Sequence, residues 1–210
     1  MIDITANSIL FDNDVSGVNS GLGSVTRGRG NGGTIIINAG NAVFRNRGGI
    51  SLNTDGEGKA GRLSLTTNSL TIENSGIFSE DGGTGTAGEI NIAVNGEMIL
   101  REGRISVSAK NNSNPNSQLR AAGNISLSAA TLSLEPGFIV AETESGNGGD
   151  INLSLQKLLS LNFGSLISTT AGTTQAGGNG GNINLKTQFI VADPNQNSDI
   201  TANAFAGSGR

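Results

Sequence analysis

An all-β chain of stacked coils is predicted by three observations: a recurring phrase, a period near 27 residues, and the lack of any helical pattern. The phrase is a glycine, one variable residue, then an apolar–polar–apolar triplet. It begins at Gly33, Gly61, Gly88, Gly123, Gly149 and Gly181, with spacings of 28, 27, 35, 26 and 32 residues. Ile36 stands in the polar place of the first copy, and Ile2-Asp3-Ile4 opens the chain as a copy without its glycine. Such a repeat marks a stacked array rather than a globular enzyme built around one core. Three short strands per repeat, in register, predict a right-handed parallel β-helix of six complete coils and a partial seventh. At about 4.8 Å per coil this is a rod of about 30 Å. Residues 1–210 form one array, and both ends enter or leave on strands without caps, so the chain reads as part of a longer solenoid.

The elements follow in order within each coil. The first strand is the phrase itself, as in Leu63-Ser64-Leu65 and Ile90-Asn91-Ile92. Asn7, Asn68 and Asn95 come three residues after its second apolar residue, and Asn tolerates the left-handed backbone of a tight corner. The second strand is Ile9-Leu10-Phe11, Ala42-Val43-Phe44, Leu70-Thr71-Ile72, Met98-Ile99-Leu100, Leu132-Ser133-Leu134, Leu158 to Phe163, and Phe189-Ile190-Val191. A second corner carries Gly49, Gly76, Gly103, Gly137 and Gly164, where stacked glycine allows positive φ. The third strand is Ile50-Ser51-Leu52, Ile77-Phe78, Ile105-Ser106-Val107, Phe138-Ile139-Val140, Leu166-Ile167, and Ile200 with Ala202, with a weaker one in Val18 to Val25. Alternation and enrichment in Ile, Val, Leu and Thr suit sheets with one buried face. The third connection is variable, long at Lys110 to Ala122 and Ala171 to Gly180 but short at Ser145 to Gly148. Insertions at one corner leave stacked strands untouched.

Composition narrows the chemistry. Gly is 33 of 210 residues, and its periodic placement reads as turns rather than flexible linker. Net charge is −4 with no basic stripe, which argues against nucleic acid as a partner. Cys is absent, excluding disulfides and cysteine metal sites, and absent His removes the commonest general base and metal ligand. No apolar run approaches a membrane helix, and no signal peptide is visible.

Two charged columns are the candidates for chemistry. Eight residues after the second apolar residue of the first strand stand Asp12, Arg45, Glu73, Glu135 and Asp193, with Leu100 and Leu161 as interruptions. Polysaccharide lyases and hydrolases place such groups in a groove, but alternating signs one coil apart favour pairing between coils. The outward middle positions of the first strand, Ile36, Ser64, Asn91, Ser126, Asn152 and Asn184, are all neutral, which a lyase groove would not be. The second column is Arg62, Glu89, Asn124 and Asp150, again read as stabilising. Gly146 to Ile151 matches calcium-binding nonapeptide repeats poorly, and Glu80-Asp81-Gly82-Gly83 is a loop with two carboxylates. Gly21 to Thr26 and Gly178 to Gly181 lead into no helix, so neither is a phosphate loop, and Arg27-Gly28-Arg29-Gly30 is a loop rather than a nucleic-acid segment. No catalytic, cofactor-binding or metal-ligating residue is assigned, and no cofactor is expected.

Phrases such as Ala122-Gly123-Asn124-Ile125-Ser126-Leu127, Phe189-Ile190-Val191-Ala192-Asp193-Pro194 and Ser198-Asp199-Ile200-Thr201-Ala202-Asn203-Ala204 resemble repeats of filamentous haemagglutinin-like large exoproteins, especially cyanobacterial ones. The resemblance implies a non-catalytic shaft of a secreted or cell-surface adhesin, exported by two-partner secretion through an outer-membrane transporter. It implies adhesion or cell contact with surface glycans or proteins through the long third-corner loops. Open ends expose apolar faces and strand edges, from which end-to-end self-association is expected. The rival readings are a carbohydrate-active β-helix enzyme and a surface-layer or matrix component.

Overall fold

The computed structural model describes residues 1–13, 21–110, 120–173 and 177–205. In chain order the strands are β1 (Ile2–Asp12), β2 (Gly21–Thr26), β3 (Thr34–Arg45), β4 (Gly49–Thr54), β5 (Arg62–Glu73), β6 (Gly76–Asp81), β7 (Glu89–Val94), β8 (Glu97–Arg101) and β9 (Gly103–Ala109). They continue as β10 (Arg120–Ala121), β11 (Ile125–Leu134), β12 (Gly137–Thr143), β13 (Gly146–Asn147), β14 (Ile151–Leu161), β15 (Leu166–Ala171), β16 (Ile183–Lys186), β17 (Phe189–Ala192) and β18 (Asp199–Ala204). No helix occurs among the described residues. One parallel sheet runs β1-β3-β5-β7-β11-β14-β16, with β8 joining β5 to β11 and β17 lying on β14. A second runs β2-β4-β6-β9-β12-β15-β18, and β10 pairs with β13. The fold is therefore all-β with strands in parallel sheets, as a parallel β-helix requires.

Each strand pairs with its equivalent one repeat along the chain. Ile35, Leu63, Ile90, Ile125 and Ile151 form one buried column of the first sheet. Ala42, Leu70, Met98, Leu132 and Leu159 form another. Ile50, Ile77, Ile105, Ile139 and Ile167 face them from the second sheet. Burying each Ile, Leu or Met side chain of these columns contributes about 1.5–3 kcal/mol relative to exposure. Phe11 and Phe44 add a stacked aromatic pair, with ring centroids 5.1 Å apart.

Two expectations about corners are corrected. The first and second predicted strands are continuous in β1, β3, β5, β11 and β14, and separate only around Asn95-Gly96 and between β16 and β17. Regular pairing merely lapses at Asn7, Gly40 and Asn68. Asn7, Asn68 and Asn95 are not left-handed. Instead the Asn95 side-chain amide donates to Asn68 Oδ1 at 2.9 Å, so these two asparagines stack as a bonded amide pair. At the second corner, positive φ falls on Asn46, Arg47, Asn74, Glu102 and Phe163, while of the predicted corner glycines only Gly164 is left-handed. Gly49 serves close packing: a Cβ there would lie 2.1 Å from the Gly76 carbonyl oxygen. The short Ser145 to Gly148 connection is also more ordered than a loop, since Gly146–Asn147 pairs in parallel with Arg120–Ala121. Of the weak strand in Val18 to Val25, residues 18–20 lie outside the described residues, and β2 covers the rest.

Candidate functional site

Strand alternation decides which side chains reach the surface. On β5, β7, β11, β14 and β16 the residues between apolar partners point outward, at Ser64, Asn91, Ser126, Asn152 and Asn184. Together with Thr66, Ala93, Ser128, Ser154 and Lys186, they line a shallow groove of about 770 Å3 running across five strands of the first sheet. Asn184 donates its amide to Asn152 Oδ1 at 2.8 Å, so the lining is knitted along the axis. Among the described residues that line it, Lys186, at one end, is the only charged one. Five of the six neutral outward positions noted in the sequence, all but Ile36, thus sit in the larger groove, and the charged columns lie elsewhere.

The first charged column is longer and more regular than counting along the sequence suggested. Leu100 and Leu161 are core residues, and the positions they were thought to occupy belong to Arg101 and Asn162. A residue inserted around Asn95-Gly96 and a one-residue register shift between Ala129 and Thr131 against β14 displace the count. The column then alternates in sign over five coils, from Asp12 through Arg45, Glu73 and Arg101 to Glu135. Arg45 pairs with Asp12 at 2.7 Å and Arg101 with Glu135 at 3.0 Å. The half-exposed Arg101–Glu135 pair contributes about 0–1 kcal/mol.

Hydrogen bonds from the Arg45 guanidinium, and then from the Asn46 amide, hold the Asp12 carboxyl below the usual carboxylate range. A carboxyl depressed in the folded chain stabilises it above the unfolded value and loses that contribution as pH falls through the folded one. Acid titration below about pH 4 is therefore expected to reduce stability less in Asp12→Asn than in the parent chain. Melting temperatures across that range check it, and equal acid sensitivity of the two chains would refute it.

The second column pairs as expected, Arg62 with Glu89 at 2.7 Å. Farther along, Asn124 Oδ1 accepts from the Asp150 amide at 2.9 Å, and Asp150 Oδ1 accepts from the Asn182 backbone and side-chain amides. Asp150 thus belongs to an axial ladder rather than a calcium loop. Glu80 and Asp81 close strand β6 rather than lying in the expected loop; Asp81 Oδ1 accepts from the Gly83 amide at 2.9 Å, and Glu80 pairs with Lys110 at 3.7 Å. Among the described residues no three acidic side chains gather as a metal site would need. Gly21 to Thr26 is strand β2, and Arg29 pairs with Glu57 at 3.1 Å.

A smaller groove of about 610 Å3 lies beside the second corner and was not anticipated. Gly21, Gly23, Gly49 and Ser51 line it together with Arg47, Phe78 and Arg104. Its sequence signal is Phe78, which replaces the Ser51 of the preceding coil in the same column. Arg104 is held by Glu142 at 3.5 Å. Of the long connections expected as contact surfaces, residues 111–119 of the first and 174–176 of the second lie outside the described residues. Comparison with protein-family models, with curated proteins and with solved structures found no match in any of the three.

Proposed function

We propose that the chain is a right-handed parallel β-helix acting as the non-catalytic shaft of a secreted, cell-surface adhesin of filamentous haemagglutinin type. The observation that carries this reading is the recurring register: strand equivalents pair coil after coil across two one-residue insertions, and the charged columns spend their charges between coils. Active sites break local regularity, whereas a spacer is best served by repeating it. The outer-membrane transporter of two-partner secretion is the export partner, and surface glycans or proteins are the targets. Many weak contacts along a long rod would add up to firm attachment.

Export tests the reading directly. The chain is placed behind a secretion domain in a bacterium carrying its outer-membrane transporter. It is expected to reach the cell surface as a protease-resistant segment. Retention inside the cell, with the secretion domain alone exported normally, would overturn the proposal.

The groove across five strands favours a second reading, a carbohydrate-active enzyme acting on an extended glycan. Neutral and acidic polysaccharides incubated with the chain are expected to release no reducing ends. Release that is lost in Asn152→Ala would move the assignment to the enzyme.

A further inference from the structure

The repeat departs from itself at the smaller groove beside the second corner. Gly21, Gly49 and Gly76 stand in one column of the second sheet, and Arg104 takes that place in the next repeat. A Cβ on Gly21 or Gly49 would strike the carbonyl oxygen of the next glycine in the column, so the floor of the groove is bare backbone. Phe78 stands in an outward column, with Gly23 and Ser51 before it and Ser106 after it. Its ring lies over Gly76, where a Cβ would meet it, and so forms a fixed wall. The corner is one residue longer between Arg45 and Gly49 than between Glu73 and Gly76. Arg47 lies in that longer corner, left-handed at φ 69°, and lines the groove. Among the described residues no ion pair holds Arg47. Arg104 meets Glu142 only at 3.5 Å, long for a charge-assisted bond.

From this cluster we propose that the smaller groove binds an acidic sugar, a hexuronate residue of a surface glycan. The inference deepens the reading of surface glycans as targets and rests on it for the biological ligand. A guanidinium fork matches a carboxylate through two parallel hydrogen bonds, and Arg47 and Arg104 bring two forks to one groove. Phe78 presents a ring whose negative face suits the C–H face of a pyranose rather than an anion. Glu102 is the third charged group of the lining and opposes a bare anion. As an acceptor, however, its carboxylate takes hydroxyl donors, and Ser51, Asn74 and Ser75 add further partners for hydroxyls. A ligand that satisfies two guanidiniums and a carboxylate together carries both an acid group and hydroxyls, and the phenyl wall asks for an apolar ring face. A sugar acid combines all three. Functional sites are where a repeating frame breaks its own rules. Three breaks meet here: the longer corner, the arginine that ends the glycine column, and the phenylalanine between two serines. Binding makes and breaks no covalent bond, so the shaft stays non-catalytic.

The test is a titration of the full, isotope-labelled chain with sodium D-glucuronate, followed by amide and arginine side-chain chemical shifts, with D-glucose as the neutral counterpart. Saturable shifts are expected around Arg47, Asn74, Phe78 and Arg104 with glucuronate, and binding of glucose about tenfold weaker or less. Arg47→Gln and Arg104→Gln are each expected to weaken glucuronate about tenfold. Phe78→Ser, which installs the residue of the neighbouring repeats, is expected to weaken it about threefold to tenfold. All three side chains lie outside the core, so each variant is expected to keep the amide spectrum of the folded chain. Arg62→Gln, which removes an equal charge outside the groove, is expected to bind as the parent does. Glucuronate bound no better than glucose, shifts that map away from the groove, or unchanged affinity in both arginine variants overturns the site and leaves the exported shaft to its own test. Failure of export with glucuronate still bound overturns the shaft and leaves the groove a sugar-acid site.

Discussion

Replacing Gly88 with alanine is expected to lower stability by about 3 kcal/mol or more, at the severe end for a single methyl group. A Cβ at Gly88 would lie 1.8 Å from the Gly61 carbonyl oxygen, a backbone atom that cannot swing aside. Ser79 Oγ, which accepts the Gly88 amide at 2.8 Å, would also be crowded, at 2.9 Å from the new carbon. The conflict recurs along the column, at 1.7 Å for Gly123, 1.9 Å for Gly149 and 2.0 Å for Gly181, each against the preceding glycine's carbonyl. These glycines therefore let one coil approach the next, and none has the positive φ that would make backbone freedom the reason. Gly30 supplies the control, since nothing lies within 4 Å of its added Cβ. Gly30→Ala is expected to change stability by no more than about 0.5 kcal/mol. Urea unfolding followed by circular dichroism separates the two, and equal midpoints would refute the packing argument.

Phe44→Ala is the second large effect, with an expected loss of about 3–5 kcal/mol. Phe44 is fully buried, stacks on Phe11 at 5.1 Å and pairs in register with Ile72. Truncation removes transfer energy and leaves a cavity between coils whose spacing is held by backbone hydrogen bonds, so collapse is limited. Phe11→Ala, in the same column but half-buried, is expected to cost clearly less. If both substitutions shift the urea midpoint equally, the burial gradient toward the end of the array is wrong.

The groove and the columns were legible to different degrees. Ser64, Asn91, Ser126, Asn152 and Asn184 could be recognised as outward and neutral, because side-chain direction alternates residue by residue. The Arg62–Glu89 pair was legible too, because both residues directly follow a phrase glycine. Arg101 was missed because its place in the charged column depends on an inserted residue, not on distance from the phrase. The left-handed corner residues were misplaced for a related reason: glycine suggests positive φ locally, yet at Gly49 a neighbouring carbonyl is what demands it.

By itself the sequence determined the strands, the repeat and which side of each strand is apolar, since each depends on residues adjacent in the chain. Only the tertiary structure decided which charges meet, where the chain turns left-handed, and that the first two strands run on as one. Those features depend on the register between coils about 27 residues apart, and one inserted residue resets that register without altering any local pattern.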